Sequence, residues 1–254
     1  MLGSESKTAI EIFDSEGKKQ TVLREDVEEL IASAKSMMPE GFEKQIKREG
    51  FVDLLEFLTK RGQFLPIDLR KAATIASDRG MFFTKESRHE TLIFDDWSDK
   101  EFKGVPFKLI DPQDGKVANI ILLNSKNGAV SAKLPKQTEA PCNGPAKAIH
   151  LLSGVSGWGH AGGNASRSVS MIVRLHYADG EVENHELKNG IHFADYIRHI
   201  NVPESEMAFD LKGRQIRYLA LNPKRPKESI KRIEFIKGPD ATAPVVMAVT
   251  VEAP

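Results

Sequence analysis

The sequence predicts a mainly β protein, an antiparallel β-sandwich of jelly-roll type over residues 92–254, preceded by a small α+β segment. Three observations predict it. Beyond Leu92 the apolar residues recur with a period of two, the short apolar runs are separated by Gly, Asp, Asn and Pro turn signals, and helical periodicity almost disappears.

The best-marked strand is 168–177. Val169, Met171, Val173 and Leu175 alternate there with Ser170, Ile172, Arg174 and His176, which gives one buried and one mostly polar face. Ala178-Asp179-Gly180 then signals a hairpin, Asp-Gly suiting a type I′ turn. The same reasoning expects strands at 92–94, 106–110, 117–123, 129–133, 146–152, 181–186, 215–221, 229–236 and 245–252.

Residues 1–62 are expected to form the small α+β segment. Thr8–Asp14 and Gln20–Leu23 read as strands joined by a turn at Ser15-Glu16-Gly17-Lys18. Arg24–Ile31 reads as a helix, with Val27, Leu30 and Ile31 on one face and Glu25 and Asp26 in its first turn. After the Pro39 and Gly41 interruption, Gly50–Lys60 reads as a second helix: Phe51, Leu54, Leu55 and Leu58 share a face, and Gly62 ends it. Residues 63–91 are expected as a connector, with Met81, Phe82 and Phe83 tucked against the sandwich.

Composition narrows the function classes. A length of 254 residues suits one large domain or an ordinary domain with a small companion, and 40% apolar with 28% charged residues is the composition of a folded chain. Thirty-six basic residues balance 36 acidic ones, so the electrostatic footprint of a nucleic-acid binder is missing and no nucleic-acid partner is expected. The single cysteine, Cys142, excludes an internal disulfide and any Cys-x-x-Cys motif; its neighbours Pro141, Asn143 and Gly144 supply no base that would activate the thiol. The N-terminus has no signal-peptide pattern, and no apolar run reaches the roughly 20 residues of a membrane helix, so no membrane insertion is expected.

Two stretches stand out as candidate binding residues. In the run from Ser153 to Asn164, glycines and small residues surround Trp158 and His160. A tryptophan held in such a loop is a platform on which the C–H face of a sugar ring can stack. The plainer alternative is that Trp158 folds back as an apolar plug and the glycines only permit the turns. The second stretch starts at the Asn189-Gly190 turn and carries His192, Asp195, Tyr196 and Arg198. Asp195 with Arg198, Arg214 or Arg217 would make the bidentate set that vicinal hydroxyls need; the alternative is a purely structural ion pair.

Metal and catalytic signals are weak. None of the seven histidines has the helical ligand spacing of a zinc site, and His192 with Asp195 is the best local pair. Asp111 and Asp114 are weak candidates for a structural Ca²⁺, in a stretch that reads first as a β-turn. Apart from that possible calcium no cofactor is expected. Gly154-Val155-Ser156-Gly157 lacks the spacing and context of a nucleophile elbow, so a non-catalytic role is favoured over a hydrolase with an unrecognised site.

Several segments carry a family resemblance. Ile149-His150-Leu151-Leu152-Ser153-Gly154, Val173 through Gly180, Leu219-Ala220-Leu221-Asn222-Pro223, Ile230 through Phe235 and Pro244 through Thr250 together resemble galactose-binding-like β-sandwiches, in particular NPCBM-type modules of exported proteins. The resemblance implies a non-catalytic carbohydrate-binding or docking module whose partners are carbohydrate or neighbouring domains of a larger exported protein. Arg24 through Glu29, Ser36-Met37-Met38-Pro39-Glu40-Gly41-Phe42 and Asp53 through Leu58 are similar to the tail of a c-type haem-binding domain found in very large exported dehydrogenase-like proteins. That second resemblance implies the alternative of a structural, interdomain module in an electron-transfer protein. The Cys-x-x-Cys-His motif is absent, so no covalent haem is expected in this chain, and Met37 and Met38 read as packing residues before they read as axial ligands.

Overall fold

The period-two patterning becomes strands that pair antiparallel throughout. A computed structural model describes residues 2–5, 8–13, 18–27, 29, 63–157 and 167–254, and the chain divides into two units, Met1–Thr59 and Lys60–Pro254. Strand counts refer to the described residues.

The first unit contains a three-stranded meander, β1 (Leu2–Glu5), β2 (Ala9–Phe13) and β3 (Lys19–Leu23), in that spatial order. Where a helix was expected from Arg24, a single 3₁₀ turn covers Arg24–Asp26. Glu28, Leu30 and Ile31 of that expected helix lie outside the described residues, as do the expected helix at 50–60 and the Met37–Met38 pair.

In the second unit come β4 (Phe64–Pro66), β5 (Lys100–Phe102), β6 (Val105–Phe107), β7 (Ile121–Leu122), β8 (Gln137–Gly144) and β9 (Ala148–Ser156). These are followed by β10 (Val169–Tyr177), β11 (Val182–Lys188), β12 (Glu206–Asp210), β13 (Gln215–Leu221), β14 (Ile230–Lys237) and β15 (Ala243–Glu252). One sheet has the order β11-β10-β14-β8; the other runs β12-β13-β9-β15-β4, with β7 also paired to β15. Between them lies a core of Ile149, Leu151, Met171, Val173, Leu175, Phe235 and their neighbours. The mainly β, antiparallel class expected from the sequence is what the chain adopts.

The six-stranded sheet is also covered on its outer face, where Met81, Phe82, Leu92, Phe94, Phe107 and Ile120 pack on Leu152, Ile216, Val245 and Met247. Strands β9 and β15 are therefore buried on both faces along their whole length, which is why they read as apolar runs rather than clean alternations. A bulge between Val246 and Ala248 changes the parity of β15, so Val246 faces the inner core before it and Val249 and Val251 after it.

Residues 63–91, expected as a connector, belong to this unit. β4 pairs with β15, and Met81 and Phe82 are fully buried. Gly157 has φ +84°, and a Cβ placed there would lie 2.3 Å from the Phe82 ring, so the glycine is needed both for its backbone and for the close approach. Burying Phe82 contributes about 1.5–3 kcal/mol.

Other differences have local reasons. The expected strand at 129–133 is a 3₁₀ turn over Ser131–Lys133, and 92–94 is not a strand but supplies Leu92 and Phe94 to the outer core. β8 and β12 were not anticipated. Both are edge strands with side chains largely in water, so backbone pairing makes them strands without an apolar pattern. The hairpin after β10 has positive φ only at Gly180, so it is a three-residue loop closed by Gly180 N–H donating to Tyr177 O, not a type I′ turn.

Candidate functional site

β9 continues through Ser153–Ser156, into the glycine-rich stretch expected to be loop. At its end it meets the second predicted stretch. Val155 N–H donates to Ala194 O (3.3 Å) and Tyr196 N–H donates to Val155 O (3.0 Å), forming an isolated parallel bridge between Val155 and Asp195. The backbone leading to Trp158 and the Asn189–Arg198 segment are therefore hydrogen-bonded neighbours. Trp158 and His160 themselves lie outside the described residues.

The polar groups of this junction face inward. The Asp195 side chain is buried and its Oδ1 accepts from Ile197 N–H at 3.1 Å. Gln215 Nε2 donates to Asp195 O (3.0 Å), and Gln215 N–H donates to Tyr196 O (2.8 Å). Tyr196 is fully buried, and its hydroxyl donates to Glu90 O at 2.7 Å. Burial pushes that phenol well above the usual tyrosine range. Asn189 is buried too, its N–H donating to Ser168 O (2.9 Å). His192 Nδ1 accepts from Lys188 N–H (3.0 Å), and burial holds its imidazole below the ordinary value.

Arg217, expected as a ligand-binding residue, is 1% exposed. Its Nε donates to Ser205 Oγ (2.8 Å), its Nη1 to Ile200 O (2.8 Å) and Gln215 Oε1 (3.0 Å), and its Nη2 to Ser205 O. The guanidinium ties the 200–205 segment down and is turned away from solvent. Of the predicted stretch, Arg198 is exposed, followed by the equally exposed His199.

The start of β10 is also anchored. Asp240 Oδ2 accepts from Ser168 Oγ (2.9 Å) and Ser170 Oγ (2.6 Å), and its Oδ1 accepts from Lys237 Nζ (2.9 Å) and Thr242 N–H (3.1 Å). Burial alone would raise this carboxyl, but the hydrogen bonds outweigh it and hold Asp240 below the usual carboxylate range.

From His199 the structure leads to a cleft that the sequence did not reveal. His199 Nε2 lies 3.3 Å from Asp210 Oδ1, and Asp210 belongs to the wall of a cleft of about 210 Å³. One wall is Ile93–Asp96 with Lys100; the other is Phe209–Lys212. The walls touch through Phe94 and Phe209, whose rings meet edge-to-face at 5.4 Å, and again through Lys212 Nζ and Asp95 Oδ1 at 2.9 Å. Lys100 Nζ lies 2.6 Å from Asp96 Oδ1, and this hydrogen bond, with those from Ser98, lowers Asp96 to about 2. Lys212 and Gly213, both at positive φ, form the tight turn that presents the second wall, and Gly213 N–H donates to Asp210 Oδ1 at 2.8 Å. Half-buried Trp97 packs edge-on against Phe94 at 5.8 Å. The signal that could have found this site is Asp95-Asp96-Trp97-Ser98-Asp99, where the chain's other tryptophan stands among acids.

Two further polar sets lie elsewhere in the second unit. His150, buried on β9, contacts Tyr218 OH (2.9 Å) and Glu252 Oε2 (3.3 Å), while Lys147 reaches Glu252 Oε1 at 2.5 Å. Burial pushes His150 below its ordinary value. At the weak calcium candidate, Asp111 Oδ1 accepts from Gln113 N–H (2.8 Å) and Arg79 Nη2 donates to the backbone carbonyl of Asp114 (2.6 Å). Among the described residues no three His, Cys, Asp or Glu side chains converge as a metal site, and no helix is long and apolar enough to cross a membrane.

No family model, curated protein or solved structure matches this chain.

Proposed function

We propose that the second unit is a non-catalytic carbohydrate-binding module of the galactose-binding-like kind, and that it recognises its ligand at the Phe94–Phe209 cleft. The observation that supports this reading most is the make-up of the cleft: its lining combines two aromatic rings, Phe94 and Phe209, with carboxylates and ammonium groups. A sugar ring is recognised by that combination, its C–H face lying on an apolar surface and its hydroxyls donating to carboxylates and accepting from cations. The buried Asp195–Gln215–Arg217 network beside it adds support. It holds the 195–205 segment, from which His199 reaches Asp210 on the cleft wall.

A glycan array probed with the full chain, followed by titration of whatever binds, tests the reading. Binding to at least one glycan class is expected, weakened by Phe209→Ala. Trp158→Ala tests the tryptophan that the sequence singles out. A folded chain that binds no glycan at millimolar concentration would sink the reading.

A further inference from the structure

We infer that Tyr218 is a redox-active tyrosine, giving up an electron to a strong outer-sphere one-electron oxidant while its phenolic proton passes to His150. The inference stands apart from the carbohydrate reading and does not depend on it. Three strands that neighbour one another in the six-stranded sheet, β13, β9 and β15, carry Tyr218, His150 and Glu252. The phenol oxygen lies 2.9 Å from His150 Nδ1, and His150 Nε2 lies 3.3 Å from Glu252 Oε2.

The direction of the proton follows from the far end of this relay. The hydrogen bond from Lys147 Nζ to Glu252 Oε1, at 2.5 Å, holds that carboxyl below the usual range, so it is ionised and can only accept. His150 Nε2 therefore carries the hydrogen, which leaves the Nδ1 lone pair to accept from the Tyr218 hydroxyl. Burial keeps this imidazole neutral and the phenol protonated at neutral pH. Oxidation then breaks the phenol O–H bond and forms an N–H bond at Nδ1. The electron goes to the oxidant, a neutral phenoxyl radical stays on Tyr218, and the new imidazolium faces the Glu252 carboxylate. The charge created on His150 is thus compensated where it forms, and reduction returns the proton by the same path.

The chain has three tyrosines, and the other two are placed differently. Tyr196 donates to the backbone carbonyl of Glu90, which takes up no proton. Tyr177 donates to Glu183, a carboxylate that also accepts from Lys224 N–H and is a weaker base than an imidazole. Both of those rings are buried, whereas Tyr218 is half-buried and closer to an oxidant at the surface. A line of packed rings also leads away from it. Tyr218 meets Phe102 at 5.2 Å, Phe102 meets Phe209 at 6.2 Å, Phe209 meets Phe94 at 5.4 Å, and Phe94 meets half-buried Trp97 at 5.8 Å. Such packing carries an electron from the phenol to an indole that is itself readily oxidised, so Trp97 offers a second point of exit.

The test is flash-quench oxidation of the full chain by photogenerated tris(bipyridine)ruthenium(III), followed by phenoxyl absorbance and by electron paramagnetic resonance of samples frozen during the reaction. A phenoxyl radical is expected that Tyr218→Phe removes and Tyr177→Phe leaves in place. His150→Gln keeps a hydrogen-bond acceptor but offers no base, and should slow phenoxyl formation by about a hundredfold. Glu252→Gln should fall between that variant and the parent chain. Melting temperatures show which variants are folded. The parent chain labelled with ¹⁵N-histidine gives a readout that needs no variant: electron–nuclear double resonance should show an imidazole nitrogen coupled to the radical. Indole radicals alone, a phenoxyl signal that survives Tyr218→Phe, an unchanged rate in folded His150→Gln, or a radical without nitrogen coupling would each overturn the inference.

Discussion

Lys237–Asp240 and Lys212–Asp95 have the same Nζ–Oδ1 distance, 2.9 Å, yet they differ in nearly everything else. The side chains of the first pair are 8% exposed each, and Asp240 also accepts from Ser168, Ser170 and Thr242. Those of the second are 74% and 82% exposed and cross a cleft. Distance alone therefore says little about what an ion pair does. Surroundings decide: removed from water and fully hydrogen-bonded, the pair fixes the start of β10, whereas in water such a pair breaks and re-forms cheaply.

The largest effect is expected at the buried pair. Asp240→Ala leaves a buried ammonium without its counter-charge and should cost about 3–5 kcal/mol in urea unfolding. Asp240→Asn, which keeps hydrogen-bonding capacity, should fall between that variant and the parent chain. A loss below about 1 kcal/mol for Asp240→Ala would mean that the buried pair is no more structural than the exposed one.

Next in size is Gly157, which follows the end of β9. Gly157→Ala forces a side chain into the left-handed region and against the Phe82 ring, so a loss of about 2 kcal/mol or more is expected. An unchanged melting temperature would show that Phe82 is not held there.

Acid provides a third, smaller perturbation. Burial lowers the folded-state pKa of His150, His185 and His192, so at these imidazoles the unfolded chain takes up protons more readily than the folded one. Their contribution to stability is full above the unfolded value near 6.5 and is lost as pH falls from there toward the folded values. Melting temperatures from pH 8 to 5 should be flat at first and decline below about 6.5. Asp240 and Glu252, both held below their ordinary values, add a second loss at lower pH. A profile that rises on acidification through pH 6 would contradict the assignment.

Smallest of all is the exposed pair. Lys212→Ala should change stability by less than about 1 kcal/mol, and any glycan binding at the cleft should change by a larger factor than stability does. If stability falls as far as for Asp240→Ala, the exposed pair is a structural tie and the contrast collapses.

How much of this was legible depended on solvent. β10 was readable because one of its faces is wet, so the alternation of Met171, Val173 and Leu175 with Ile172, Arg174 and His176 survives in the sequence. The limits of β13 were read as they stand, at 215–221. β8 and β12 were not, because an edge strand needs only a backbone partner. The Asn189–Arg198 stretch was singled out as a candidate binding segment, but that it pairs with the end of β9 was not legible, and Asp195, Tyr196 and Arg217 turn inward. The cleft escaped notice because its walls, at Phe94 and at Phe209, come from distant parts of the chain.

By itself, the sequence determined the antiparallel β class, the strands with one wet face and the exclusion of disulfide and thiol-motif chemistry. Side-chain periodicity and cysteine count are local properties that hold before the chain folds. Only the tertiary structure decided which polar residues are structural and which are presented. Arg217 and Arg198 are the same residue type in the same neighbourhood, and burial beneath the 200–205 segment separates them. That covering comes from contacts between distant segments, and the free energy of a charge depends on what covers it.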